Sequence, residues 1–133
     1  MIKKIGHIGF AVKNIETVLR AFSKALNVPI PDIKDNEQMK IKSAMIDFNG
    51  VEFEILQPYG ETGILADYIK KHGNGIHHIC FLTDSIEIDM KQLQALGFGF
   101  RQEKPTRGFV RGRLRATTTD DALDGIPFEI SEM

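Results

Sequence analysis

One cysteine, Cys80, is all that the 133-residue chain contains, so no disulfide can close within it. Disulfide scaffolds are thereby excluded, and a reducing compartment is the expected setting. An excess of charge of one sign is also lacking: 17 lysines and arginines against 18 aspartates and glutamates leave a formal net charge of −1. That balance excludes bulk attraction to nucleic acid or to an anionic membrane, though not a local basic patch. No hydrophobic run approaches the roughly 18 residues of a membrane span. The opening MIKKIGHIGFAV is interrupted by His7 and Lys13 and leads to no cleavage pattern, so it does not read as a signal peptide. A cytoplasmic protein with no nucleic-acid or membrane partner is expected. What is present, 42% hydrophobic and 26% charged residues, is ordinary for a chain that can bury one real core.

The spacing of apolar residues predicts elements in an order that occurs twice. Residues 5–12 are rich in strand formers. Asn14 then offers a helix cap, and Ile15, Val18, Leu19, Phe22, Ala25 and Leu26 recur at helical spacing until Asn27, Pro29 and Pro31 forbid continuation. A short strand and two longer ones, over 39–48 and 51–57, follow, the latter two joined by Asn49-Gly50, residues that tolerate the positive φ of a tight hairpin. A connecting helix over 61–74 carries Ile64, Leu65, Tyr68 and Ile69 and stops at Gly73. The order then restarts. A strand over 76–82 leads to a helix capped by Asp84 or Ser85, carrying Ile86, Met90, Leu93 and Leu96, and ended by Gly97. Strands over 98–104, 110–118 and 126–131 complete a second βαβββ module. One domain, 1–133, is therefore expected, with module one over 1–60 and module two over 75–133.

The two modules also share words. His7-Ile8-Gly9-Phe10 returns as His78-Ile79-Cys80-Phe81, and Ile15-Glu16 returns as Ile86-Glu87 at the same offset. Gly50-Val51-Glu52-Phe53-Glu54-Ile55 returns as Gly125-Ile126-Pro127-Phe128-Glu129-Ile130 at nearly that offset. Two duplicated segments in step indicate a tandem repeat, too long in period and too few in copies for a solenoid.

Each module keeps one histidine on its first strand and one glutamate on its last: His7 and Glu54, then His78 and Glu129. Imidazole nitrogen and carboxylate oxygen suit zinc, manganese, iron, cobalt or nickel. Two carboxylates brought together without a cation would repel, and one would stay protonated. By strand alternation, small residues (Gly9, Ala11, Cys80) share the ligand face, whereas Ile8, Phe10, Val12, Ile79, Phe81, Phe128 and Ile130 occupy the opposite, core face. Taken alone, a strand histidine is more often structural and a strand glutamate solvated; the matched pairs make the metal reading. Adjacent His77 competes with His78, and the repeat register selects His78.

With these residues in view, the chain resembles the vicinal oxygen chelate superfamily, the glyoxalase and bleomycin-resistance proteins, over nearly its whole length. Within it, HIGFAVKNIE, FEILQP, ILADYIKKHGNG, GIHHICF and PFEI look most like methylmalonyl-CoA epimerases, and lactoylglutathione lyases come next. The resemblance implies an α+β fold in which the tandem modules form one eight-stranded, cup-shaped mixed sheet with helices outside. It implies one divalent metal ion per chain (zinc, cobalt, nickel or manganese) on His7, Glu54, His78 and Glu129, and a homodimer. It implies an isomerase or epimerase that polarises a substrate carbonyl, with Glu129 and Glu54 as the carboxylates placed to move the neighbouring proton. Glyoxalase I chemistry on a hemithioacetal is the alternative enzyme, and a non-catalytic small-molecule binding or resistance protein the alternative class. Two departures stand out. Ser43 occupies the third-strand position where the epimerases carry a glutamate base, and is taken as substrate-binding. TRGFVRGRLRATTTDD replaces their glycine-rich seventh-strand region.

That segment is locally basic. Arg101, Lys104, Arg107, Arg111, Arg113 and Arg115 are balanced only by Glu103. On a strand, Arg111, Arg113 and Arg115 would share one face, and arginine forks grip carboxylate or phosphate. Arg113 and Arg115 are the expected contacts for an anionic substrate; a charged edge strand kept soluble is the other reading.

Overall fold

A computed structural model describes residues 1–108 and 111–133. Among them eight strands and three helices alternate in the expected order, giving an α+β chain of two βαβββ modules. Contacts divide it into two compact units, residues 7–77 and residues 1–6 with 78–133. The connecting helix thus groups with the first module, and the opening six residues group with the second.

In the unit of residues 7–77, β1 (Ile2–Ala11) leads into α1 (Ile15–Leu26). Asn14 caps that helix, its Oδ1 accepting from the Thr17 amide at 3.0 Å. A second orphan amide at the helix start, that of Ile15, donates to Gln57 Oε1 at 2.8 Å. At the other end Asn27 takes the left-handed conformation, φ 54°, and returns its N–H to Ser23 O. Then come β2 (Lys34–Asn36), β3 (Ile41–Phe48), β4 (Val51–Pro58) and α2 (Ile64–His72). The strands lie in the order β2-β3-β4-β1, with β1 parallel to β4 and the other pairs antiparallel. Asn49 and Gly50, at φ 56° and 90°, close the β3–β4 hairpin as their sequence requires.

Burial in this unit lies between the sheet and α1. Val12, Ile15, Leu19, Ala44, Ile46 and Ile55 form its core, with Phe10, Val18, Phe22 and Phe53 packed against them. The rings of Phe10, Phe22 and Phe53 meet at centroid distances of 5.4, 5.9 and 5.5 Å, two contacts edge-on and one stacked.

In the second unit the elements are β5 (Gly75–Thr83), α3 (Ile86–Ala95), β6 (Thr106–Arg107), β7 (Leu114–Thr117) and β8 (Phe128–Glu132), with β5 beginning in the first unit. Their order is β5-β8-β7-β6, again with the first and last strands parallel. Ile86 and Met90 of α3 pack on Ala116, Phe128 and Ile130. Phe81 and Phe128 meet edge-on at 5.8 Å, repeating the Phe10–Phe53 contact of the other unit. Gly6 is required here by close approach: a Cβ at that position would lie 2.7 Å from Leu82 Cγ.

Three expected strands are corrected. Residues 98–104 form no strand; only Phe100 bridges to Thr118, and β6 follows later. The Gln102 side chain takes the Thr117 amide at 2.9 Å, where a ladder would supply a backbone carbonyl, and Pro105 has no N–H to give. The strand expected over 110–118 begins only at Leu114, and Val110 lies outside the described residues. Gly112, at φ 66°, turns the chain, donating to Gly108 O while Gly108 N donates to Arg113 O, both at 2.9 Å. The last strand starts at Phe128, after the positive φ of Asp124 and Gly125 and after Pro127. Among the described residues no helix is long and apolar enough to cross a membrane.

Two substitutions check this packing. Ile55→Ala should cost about 2–5 kcal/mol of unfolding free energy by opening a cavity under α1. Asn14→Ala should cost about 1 kcal/mol by orphaning the Thr17 amide. Urea unfolding with an unchanged slope is the measurement; losses below a few tenths of a kcal/mol would contradict both assignments.

Candidate functional site

His7 and Glu54 belong to neighbouring parallel strands of one unit. The register sets His7 opposite Glu52 and Gly9 opposite Glu54. Side chains two residues apart share a face, so His7 and Glu54 sit diagonally on the same side of β1 and β4. That side is the one facing away from α1, because Phe10, Phe53 and Ile55 occupy the other. The second unit uses the same geometry. Cys80 is opposite Glu129 on the parallel pair β5 and β8, which puts His78 diagonal to Glu129 on one face. Phe81, Phe128 and Ile130 fill the opposite face against α3.

All four side chains are withdrawn from water, with relative exposures of 3% for His7, 5% for Glu54, 8% for His78 and 8% for Glu129. Buried ionisable groups are retained where they are paired, hydrogen-bonded or bound to a metal. One such partner is Arg115, whose Nη1 donates to Glu129 Oε2 at 3.2 Å. Antiparallel register places Arg115 opposite Ser131 and Thr117 opposite Glu129, so all four share the face of His78. Arg115 Nη1 also donates to Thr117 Oγ1 at 3.3 Å. Thr117, absent from the sequence-based candidates, was legible through its two-residue spacing from Arg115.

Ser43 is buried on β3 opposite Leu56, while Met45 is opposite Glu54. Ser43 therefore faces the same side as Glu54 and presents a hydroxyl there. Arg113 does not take the strand-face position expected of it. It lies outside β7, exposed, with its carbonyl accepting from Gly108 in the turn made by Gly112. Arg111 belongs to that turn too, so the three arginines do not line one strand face; of them only Arg115 is on the strand. His77 points to the face opposite His78, its ring edge-on to Tyr68 at 5.2 Å.

Repeated strand–helix–three-strand modules, each with a buried His–Glu diagonal on the face away from its helix, define a class of protein. The chain matches the Glyoxalase/Bleomycin resistance protein/Dioxygenase superfamily over residues 6–116 and belongs to it. One relative is the mitochondrial methylmalonyl-CoA epimerase of Dictyostelium discoideum, 21% identical over 132 residues, covering 98% of this chain and 79% of the relative. Another is the ethylmalonyl-CoA/methylmalonyl-CoA epimerase of Cereibacter sphaeroides, 26% identical over 98 residues, 73% of either chain. Among solved structures, a variant of the methylmalonyl-CoA epimerase of Streptomyces coelicolor in complex with 2-nitronate-propionyl-CoA is similar at 22% identity. Its TM-score is 0.88, over 99% of this chain and 98% of that one, a likeness of fold.

The two adjacent histidines give a local check. His77→Ala should lower stability by about 0.5–1.5 kcal/mol through loss of the Tyr68 contact. A Tyr68→Ala, His77→Ala double-mutant cycle measures that coupling, and a coupling energy near zero would remove the structural role assigned to His77.

Proposed function

We propose that the chain is a metal-dependent enzyme moving a proton at the carbon beside a carbonyl, an isomerase or epimerase of a small anionic or acyl-thioester substrate. The observation that carries this reading is the doubled His–Glu diagonal, built twice at one register and buried both times. His7, Glu54, His78 and Glu129 would together hold one divalent ion. The donor chemistry fits: two imidazoles and two carboxylates are accepted by zinc, cobalt, nickel and manganese.

When bound, the ion supplies Lewis acidity to a substrate carbonyl and so acidifies the neighbouring C–H bond. Glu129 takes the proton from that carbon as general base. Its carboxylate is held in orientation by the Arg115 hydrogen bond, leaving less freedom to reorganise during transfer. Epimerisation needs a second group that returns the proton from the other side of the planar enolate. Ser43 offers a hydroxyl in the position where the resembled epimerases carry that carboxylate. The relatives named as methylmalonyl-CoA and ethylmalonyl-CoA epimerases support the epimerase side of the reading. Ser43 itself favours a second reading, isomerisation of a hemithioacetal, which one base can accomplish by removing and returning the proton on a single face. The buried single Cys80 suits a cytoplasmic setting, and the superfamily resemblance suits a homodimer.

Metal analysis of untagged protein should find about one equivalent of divalent metal per chain. His78→Ala should abolish that retention, and His77→Ala should keep it; equal loss in both would sink the ligand assignment. Incubation with acyl-CoA thioesters and hemithioacetals in heavy water, read by mass spectrometry, should show deuterium entering the acidic position. Slow racemisation of methylmalonyl-CoA is expected, and Ser43→Glu should raise it by about 10²-fold, the lower range for a positioned acid–base group. No exchange with any substrate at full metal occupancy would favour a binding protein over an enzyme.

A further inference from the structure

Arg115 has one end committed and the other open. Its Nη1 is held by Glu129 Oε2 and Thr117 Oγ1, while Nε and Nη2 have no hydrogen-bond partner among the described residues. Neither nitrogen is sealed from solvent, for among the described residues no buried side-chain nitrogen or oxygen lacks a partner, and the side chain keeps 28% of its exposure. An Nε–Nη2 edge is the geometry that binds a carboxylate or phosphate through two parallel hydrogen bonds.

The space beside that edge is provided by Gly108. A Cβ at residue 108 would lie 2.9 Å from Arg115 Cδ and 3.0 Å from Nε, with Arg113 O the next atom at 3.7 Å. A side chain at residue 108 would therefore meet the arm that carries the guanidinium, which would have to shift to make room. Gly108 has no positive φ, so its backbone does not demand glycine; what a side chain there would displace is the Arg115 arm. Its place is set by the turn: Gly108 N donates to Arg113 O, Gly112 N to Gly108 O, and Arg107 Nη1 to Gly112 O at 2.8 Å. From Thr106 to Arg115 the chain carries Arg107, Arg111, Arg113 and Arg115 and no acidic residue, so the charge of Arg115 that Glu129 offsets is supplemented by three further guanidinium groups in this stretch.

The geometry points to an oxyanion seat at this turn, in which the Nε–Nη2 edge of Arg115 receives a carboxylate or phosphate oxygen pair of the substrate and Gly108 keeps the approach open. The inference rests on the proposed enzyme reading for its consequence: one rigid guanidinium plane would span the substrate anion and the Glu129 base. Arg115 then determines specificity, favouring substrates with an oxyanion near the reacting carbon over uncharged ones, and Gly108 is a positioning residue.

Malonate and inorganic phosphate, titrated calorimetrically into the full chain before and after metal removal by chelation, test the seat. Arg115→Met should weaken malonate binding at least about tenfold in both preparations, the factor that a charge-assisted hydrogen bond is worth. Arg115→Lys should recover only part of it, because an ammonium lacks the fork. Gly108→Ala should weaken binding although the arginine remains, with metal content and unfolding midpoint unchanged. Phosphate binding tighter than malonate, with the same dependence on Arg115, would assign the seat to a phosphate of the substrate instead of a carboxylate beside the reacting carbon. Malonate affinity unchanged in Arg115→Met overturns the seat, and unchanged affinity in Gly108→Ala overturns the role of Gly108. Arg115-dependent malonate binding by a chain that retains no metal would leave the seat standing and reject the metal reading.

Discussion

Parallel pairing of the first and last strands within each unit is the constraint on which the rest depends. A parallel neighbour cannot be reached by a tight turn, so a crossover must intervene; here it is a helix and two further strands, and the helix covers one face. With that face taken by Phe10, Phe53 and Ile55, or by Phe81, Phe128 and Ile130, strand alternation sends His7, Glu54, His78 and Glu129 to the other. The apolar packing and the polar diagonal are thus two outcomes of one register. A one-residue slip of β4 or β8 would exchange them, setting the glutamate against the helix and a phenylalanine among the polar side chains.

The cost of that arrangement is four buried ionisable side chains, each of which loses hydration on folding. Packing on the helix side compensates: aromatic triads and a continuous aliphatic layer let each unit carry a polar face without coming apart. Sequence duplication lowers the difficulty further, because one solution to this balance serves both units. The Phe10–Phe53 and Phe81–Phe128 contacts, 5.9 and 5.8 Å apart and both edge-on, show how closely the second copy repeats the first.

The copies diverge at the loops. The first unit turns between its last two strands with Asn49-Gly50, two residues and no more. In the second unit the corresponding strands are separated by a longer excursion, and before it comes an arginine-rich turn with two glycines. Arg115, on β7 just after that turn, donates to the Glu129 carboxylate.

Much of this was legible in the chain itself. The His-Ile-x-Phe and Phe-Glu-Ile repeats revealed the modules, and their alternation assigned each residue to a face, because side-chain direction in a strand depends only on parity. Asn14, Asn27, Asn49-Gly50 and Gly73 marked element ends through local φ preferences and side-chain capping, which neighbours in sequence suffice to specify. The strand expected over 98–104 and the strand face expected to hold Arg113 did not form, for the opposite reason. Alternation assumes a continuous strand, and whether Gly112 extends or turns depends on hydrogen bonds to Gly108 and on which acceptors β7 finds. The Gln102 side chain, meeting Thr117 from fifteen residues away, supplies such an acceptor and no local pattern announces it. The sequence by itself determined the modules, their faces and the donor types, since these follow from periodicity. Tertiary structure alone decided where the last strands begin and which arginine reaches Glu129, since those depend on partners distant in the chain.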